Sequence, residues 1–307
     1  MSNKKNSFPT LSIIVPVHND KKNIARLIHS LLDQDYPKRL YEIIIVDNNS
    51  TDGSKEIIKR FPVKLLEERR IQSSYAARNK GIKHAKNEII ALIDSDCIAT
   101  PQWLKEGTKK LVSEDADLVG GKVGFVYSER KTAAEFYDSL THMQVEANIK
   151  KQNVSPTANL FVKSFLFDRI GLFPDWVKSG GDFYWTGKAT RSGFSLVYSP
   201  AAIVKHPTRT LKTIFKKKFR VARGTIPIWT NQDKTFRSIV YLTFKYFVPP
   251  RLSRIKKLAN QIPKREINNK FLRIWLVSYL CKLSSGLGIL ISIYDILNKG
   301  FKRRINH

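Results

Sequence analysis

Cysteine is scarce in this chain: two residues in 307, Cys97 and Cys281, far apart in sequence. They offer neither a disulfide framework nor the paired spacing of a metal site, so a reducing compartment is the expected setting. The N-terminus, "MSNKKNSFPT", has charge but no apolar stretch behind it, and no secretory signal is expected. No glycine-rich phosphate loop follows the first apolar run, which argues against a nucleotidyltransferase built on a similar sheet. Internal repeats and low-complexity tracts are absent. Acidic residues nearly vanish late in the chain. Residues 205–307 hold 24 lysines and arginines against Asp233, Glu266 and Asp295, a net of +21, whereas the first 204 residues carry +7 of the total +28. A field that strong calls for an anionic partner, either nucleic acid or an acidic membrane surface.

What is present is an alternation of apolar strands and amphipathic helices. "LSIIVPV", "YEIIIVD", "VKLLEE" and "EIIALID" read as strands. Between them "DKKNIARLIHSLLDQ", "SKEIIKRF" and "SSYAARNKGIKHA" read as helices, with Gly81 a weak spot in the third. Five consecutive apolar residues, Ile89–Ile93, fit a strand buried on both faces. The expected fold is therefore α/β, a mostly parallel sheet flanked by helices. Later, "LVGGKVGFVY" reads as a strand, "TAAEFYDSLTHMQVEANIK" as one helix and "KSFLFDRIGLF" as a short helix stopped at Gly171. "GFSLVYSP" and "AAIVKH" read as edge strands. Beyond them the character changes to basic helices, which divides the chain into residues 8–206 and 207–307.

In an open α/β sheet, ligands bind outside the carboxyl ends of the strands. Three such ends here are polar: "PVHND", "VDNNSTDG" and "DSDC". The last sets Asp94 and Asp96 one residue apart, flanking Ser95, at the end of a buried strand. Two carboxylates so placed repel each other unless a cation neutralises them. Mg²⁺ takes one or two protein carboxylates and completes its shell with phosphate oxygens and water. The bland alternative is a solvated turn.

Taken in order, "SIIVPVHN", "EIIIVDNNSTDGS", "AARNKGI" and "IIALIDSD" resemble the family 2 glycosyltransferases with the GT-A nucleotide-sugar fold. The resemblance covers residues 10 to 206. It implies that Asp47 reads a uracil-type base and that the backbone around Pro16, Val17, His18 and Asn19 lines the same pocket. It sets Arg78 and Ser95 beside the nucleotide, and gives Asp94 and Asp96 a divalent cation, Mn²⁺ or Mg²⁺, that bridges the diphosphate. His206 in "IVKHP" matches a histidine that often completes that site. Asn48 departs from the family's usual acidic residue, which shifts base contacts.

Plain structural roles compete at several positions. Asp52 and Asn19 suit helix caps, Arg78 can equally pair with Glu67 or Glu68, and His18 reads as a neighbour of the pocket rather than a catalyst. Inverting glycosyl transfer needs a carboxylate to take the acceptor's proton. In "SGGDFYWTGKATRSGF", similar to the family's acidic acceptor motif with Gly181 in place of Glu, Asp182 is the only carboxylate between Asp175 and Asp233. Its competing role is a helix cap. On the acceptor side the resemblance adds Asn159, Gly181 and Trp185, the last either a stacking platform or core. In the tail, residues 274–294 are long enough to span a bilayer, but Lys282 interrupts them, and an interfacial helix fits as well. The expectation is a nucleotide-sugar-dependent, metal-dependent, inverting transferase on the cytoplasmic face of a membrane. Its acceptor is a glycan or lipid-linked, in surface polysaccharide or glycolipid synthesis. The rivals are transfer to a polyprenyl phosphate and a basic nucleic-acid-binding protein; no reader motif supports the latter, and no nucleic-acid partner is expected.

Overall fold

The computed structural model describes residues 8–177, 179–224, 236–260 and 270–305. Asp233 and Glu266, two of the tail's three acidic residues, lie outside them. The chain falls into two compact units, one of Met1–Val126 with Met143–Pro207 and the other of Tyr127–His142 with Thr208–His307.

The first unit runs β1 (Leu11–Val17), α1 (Ile24–Leu32), β2 (Tyr41–Asp47), α2 (Ser54–Ile58), β3 (Lys64–Glu67), α3 (Ser74–His84), β4 (Ile89–Ile93), β5 (Ile98–Ala99), α4 (Trp103–Ser113) and β6 (Leu118–Val126). The chain then passes through α5 (Ala133–Thr141), which belongs to the second unit. It returns as α6 (Val145–Gln152), β7 (Asn159–Lys163), α7 (Leu166–Ile170), α8 (Gly181–Arg191) and β8 (Leu196–Pro207). The strands form one eight-stranded sheet in the order β3-β2-β1-β4-β7-β6-β8-β5. β3, β2, β1 and β4 are mutually parallel, while β7 runs antiparallel to β4 and β6. Period-two alternation divides the core. Ile13, Val15, Ile43, Ile45 and Ala91 pack with Ile24, Leu27, Ile28 and Trp103 on one face. Ile44 and Val46 meet Ala77 on the other. Gly81 is where α3 presses on the sheet: a Cβ there would lie 2.6 Å from Ile14, so the helix accepts a poor helix former to gain the contact.

Three readings of the sequence are corrected. The apparent single helix over 132–150 is two, because the chain breaks at His142 and Met143 takes φ 48°. Its halves belong to different units, although their periodicity runs on almost without interruption. "GFSLVYSP" and "AAIVKH" are not edge strands but parts of one strand, β8, parallel to β6 with a register shift at Gly121/Lys122. Only the two-residue β5 lies beyond it. β7 was not expected at all, yet it fills the centre of the sheet.

The second unit combines α5 with α9 (Leu211–Arg223) and the helices Phe236–Phe244, Leu252–Ala259 and Phe271–Ile305. Its core joins Phe136 and Tyr137 to Ile214, Ile255, Ile274, Val277 and Cys281. A capping box opens α5: Thr132 Oγ1 accepts from the Glu135 amide, and Glu135 Oε2 accepts from the Thr132 amide at 2.7 Å. Glu135 also accepts from the Ser128 amide and from the Thr208 hydroxyl. Burial alone would raise its carboxyl pKa, but the bonds from Ser128, Thr132 and Thr208 overcome it and hold the group down at about 2.

Candidate active site

β1 and β2 end together, with Val17 opposite Asp47 in the parallel register and Pro16 opposite Val46. Past that point His18 and Asn19 leave the strand. His18 Nδ1 donates to the Asn48 carbonyl at 2.8 Å, which turns Nε2 toward the Gln72 side-chain amide. Asn19 takes the left-handed conformation, φ 53°. Its amide donates to Ser50 Oγ, and its Oδ1 accepts from the Thr51 amide at 2.8 Å. It therefore staples the first strand-end loop to the second and is no helix cap; α1 begins at Ile24, after Asn23. Asp52 does serve the following helix, accepting from the Ser54 amide, and it also accepts from the Lys21 amide.

Asp47 is 3% exposed. Its Oδ2 accepts from the Ser50 amide at 3.1 Å, and its Oδ1 has no hydrogen-bond partner. A buried carboxylate oxygen without a donor is costly, and it marks where an N–H of a ligand would be received. Asn48 corrects its expectation: it faces inward, and its side-chain amide donates to the Glu68 and Ile71 carbonyls at 2.9 Å each. It ties the end of β2 to the segment after β3.

At the end of β4, Asp94 Oδ1 accepts from the buried Arg78 guanidinium. That settles the partner of Arg78, since Glu67 is taken by Lys55 and Arg69. Ser95 Oγ donates to Asp20 Oδ2 at 2.6 Å. Burial raises the Asp20 carboxyl pKa against the lowering by Ser95 and Asn23, and the Asp96 charge adds to the rise. His206 donates from Nδ1 to the Pro207 carbonyl at 2.6 Å, so the nitrogen facing Asp96 Oδ2 at 3.2 Å is Nε2. Among the described residues, no three His, Cys, Asp or Glu side chains gather into a metal site. The half-buried Asp94 and Asp96 supply hard oxygen donors for part of a shell, which fits an ion that takes its other ligands from phosphate and water.

Asp182 is the second residue of α8. Its Oδ1 accepts from the Tyr75 hydroxyl at 3.1 Å and from the Phe183 amide at 3.0 Å. Desolvation raises its pKa against the pull of the Arg78 charge, and Asp94 adds to the rise. Burial also pushes the Tyr75 phenol up, so it stays a neutral donor. Arg78 and Tyr75 are one turn apart on α3, and each holds one of the two carboxylates.

Three acceptor-side expectations are corrected. Trp185 is 1% exposed, donates to the Gly171 carbonyl at 2.6 Å and stacks on Phe167 with centroids 4.8 Å apart. It is core. Asn159 is fully buried: its amide donates to the Lys122 and Ala202 carbonyls, and its Oδ1 accepts from Trp103 Nε1. Its side chain ties β7 to β6 and β8 through the amide and to α4 through Oδ1. Gly181 is buried too, its amide bonded to Tyr75 Oη, and a Cβ would sit 2.9 Å from the Tyr75 ring. The aromatic rings that do face solvent beside Asp182 are Phe183, 37% exposed, and Tyr184, 44% exposed. Their signal was available: Gly181, Trp185 and Ala189 recur at helical spacing, so one of the two faces of α8 had to be core.

Residues 12–167 match the glycosyl transferase family 2. Glycosyltransferase AglE of Haloferax volcanii is 38% identical over 293 residues, covering 92% of this chain and 95% of its own. The poly(ribitol-phosphate) beta-N-acetylglucosaminyltransferase TarS of Staphylococcus aureus is 28% identical over 183 residues, 58% of this chain and 32% of TarS. Among solved structures, the mannosyltransferase PcManGT of Pyrobaculum calidifontis, in complex with GDP-Man and Mn²⁺, superposes with a TM-score of 0.64. That match covers 93% of this chain and 88% of that one at 20% identity. Residues 1–349 of TarS with UDP-GlcNAc give 0.53 at 18% identity, covering 91% and 90%. At those identities the two structures speak for the fold.

Proposed function

Since the chain belongs to the glycosyl transferase family 2, we propose that it moves a sugar from a uridine-type nucleotide-sugar to a glycan or lipid-linked acceptor, inverting the anomeric centre with a divalent cation. The observation that carries this reading is the pair of contacts from one turn of α3. Arg78 holds Asp94 on the donor side, and Tyr75 holds Asp182 on the acceptor side. The Asp94 charge acts on Asp182, so the two carboxylates lie within electrostatic reach.

Asp47 Oδ1 receives a ring N–H of the base, and Asn19 keeps the loop closed around it. Asp94 and Asp96 would hold the cation, with His206 Nε2 behind Asp96. That ion, when bound, stabilises the negative charge on the departing diphosphate. Both hydrogen bonds to Asp182 land on Oδ1. Oδ2 therefore takes the proton of the attacking hydroxyl, and a raised pKa makes it a better base than a solvated aspartate. The exposed Phe183 and Tyr184 offer apolar faces to an acceptor sugar. The relatives' names support this chemistry: TarS makes a beta-linked product, the configuration that inversion gives from an α-linked nucleotide-sugar, and PcManGT is seen with Mn²⁺. The basic second unit supports a place on the cytoplasmic face of an anionic membrane, where surface polysaccharide or glycolipid acceptors are built.

The test is a panel of UDP- and GDP-sugars incubated with purified protein and Mn²⁺ or Mg²⁺. Release of UDP that EDTA abolishes is the expected result, with the product anomer read by NMR. Release of GDP alone would overturn the assignment to uridine, and retained configuration would remove Asp182 from its role.

A further inference from the structure

By length and composition, the 25 residues Phe271–Asp295 could cross a bilayer. In the structure this stretch has two faces. Ile274, Val277, Ser278, Cys281, Ser285, Ile289 and Ser292 recur at helical spacing and are buried. Leu272, Leu276, Leu287, Leu290, Ile291 and Tyr294 form an exposed, largely apolar stripe, with the exposed Arg273 at its N-terminal end. Nothing among the described residues covers that stripe.

What packs on the buried face decides the orientation. α9 lies alongside it in parallel. Ser284 Oγ donates to the Phe215 carbonyl at 3.0 Å, and Arg223 pairs with Asp295. A Cβ on Gly288 would come within 2.5 Å of the Phe219 carbonyl, so the glycine is what lets the two helices touch. α9 reads "LKTIFKKKFRVAR", six cations and no acid in 13 residues. Lys216, Lys217 and Lys218 fall between the Phe215 and Phe219 contacts, which are to residues 284 and 288. The centre of the apolar stretch is Leu283. If the stretch crossed the bilayer, its partner would carry three consecutive lysines to within about a turn of the midplane, where each is expensive. Lys282 already sits at that depth, its ammonium bonded to the Val248 carbonyl. An in-plane helix has no such conflict: its apolar stripe dips below the headgroups while α9 and the neighbouring basic segments meet anionic lipid.

Resting on the membrane association proposed above, we infer that helix Phe271–Ile305 lies in the plane of an anionic membrane surface and does not cross the bilayer. The partner is the lipid surface itself, chosen by an exposed, largely apolar stripe on a unit whose charge is overwhelmingly positive.

The test uses the full chain carrying Leu272→Cys or Leu287→Cys. The native thiols Cys97 and Cys281 are buried, so the introduced cysteine is the one an environment-sensitive fluorophore labels. Each protein is co-reconstituted from detergent with phosphatidylglycerol–phosphatidylcholine vesicles, which gives a spanning helix the chance to insert. Depth is read by quenching from lipids spin-labelled near the headgroup or near the chain end, and binding by flotation. In a spanning helix, residue 287 would lie about 6 Å from the midplane and residue 272 about 16 Å from it, at 1.5 Å per residue. In the plane, both labels are quenched several-fold better by the shallow probe and report the same depth. Stronger quenching of the 287 label by the deep probe would overturn the inference. Flotation with neither label quenched would also overturn it, while leaving membrane association standing through another surface. Loss of flotation by the unsubstituted protein would remove both. Circular dichroism of the labelled proteins keeps a folding failure apart from these outcomes.

Discussion

The two units use charge in opposite ways. In the first, nearly every functional charge has an assigned partner: Asp94 has Arg78, Asp96 has His206, Asp20 has Ser95, and Asp182 has Tyr75. The exception is one oxygen of Asp47, the atom to which the proposal above assigns the base. In the second, the cations of α9 and its neighbours greatly outnumber carboxylates, and they lie next to apolar surface. A whole-chain net charge of +28 describes neither. Charges matched one to one inside a fold suit a single ligand; a large excess of one sign beside an apolar face suits an extended one.

The sharpest way to break that contrast is at Asp94 and Asp96. Either residue changed to Asn is expected to remove metal-dependent turnover, a loss of several kcal/mol of transition-state stabilisation. Flotation on anionic vesicles should not change, because the two properties belong to different units. Near-normal turnover of Asp96→Asn in excess Mn²⁺ would sink the assignment.

Asp182→Asn comes next. General-base catalysis is worth about 10²–10⁴-fold, and turnover should fall by that order. Nucleotide-sugar affinity, read by calorimetry, should stay within a few-fold of the parent, whereas Asp47→Ala should weaken it first. The wild-type rate should rise with pH through an apparent pKa above that of an ordinary aspartate, since burial raises the group against the Arg78 charge. Loss of stability without loss of turnover per bound donor would make Asp182 a structural residue.

Trp185 and Phe183 separate the interior of the first unit from its acceptor face. Trp185→Ala should cost about 3–5 kcal/mol of stability in urea unfolding, as for a large aromatic removed from a packed core. Phe183→Ala should leave stability within about 0.5 kcal/mol, as for an exposed site, and raise the acceptor KM. A stable Trp185→Ala with a raised acceptor KM would restore the stacking role expected from sequence.

That exchange of roles shows what was legible. Asp47, Asp94 and Asp96 stand out in the sequence because each lies at the end of an apolar run, and Asp182 because no other carboxylate lies between Asp175 and Asp233. Trp185, Asn159 and Gly181 lie in equally suggestive stretches. Whether they face a substrate or the core is decided by partners elsewhere in the chain: Phe167 and Gly171 for Trp185, Trp103, Lys122 and Ala202 for Asn159, and Tyr75 for Gly181. β7 itself went unread because five residues, "NLFVK", carry no turn signal and pair antiparallel in an otherwise parallel region. The α5–α6 break was hidden because apolar spacing continues across it, and the left-handed Met143 has no residue preference to announce it. Tyr75 was visible one turn before Arg78, but only the position of Asp182 gives it a task.

The smallest effect distinguishes the units by acid. Glu135 in the second unit has its folded pKa lowered from 4.5 to about 2. The stability it contributes is fully present above about 4.5 and is lost as pH falls toward 2. Full expression of that shift corresponds to about 3 kcal/mol at most. Asp182 in the first unit has the opposite sign: its folded pKa is raised, so protonation relieves a cost and that group opposes acid unfolding. Urea unfolding of the wild type and of Glu135→Gln, compared from pH 7 down to pH 3, reads the first contribution alone. The gap between the two proteins should narrow steadily below pH 4.5. A gap that stays constant to pH 3 would mean that the Ser128, Thr132 and Thr208 bonds hold a glutamine as well as a carboxylate. The capping box would then act through its geometry and not its charge.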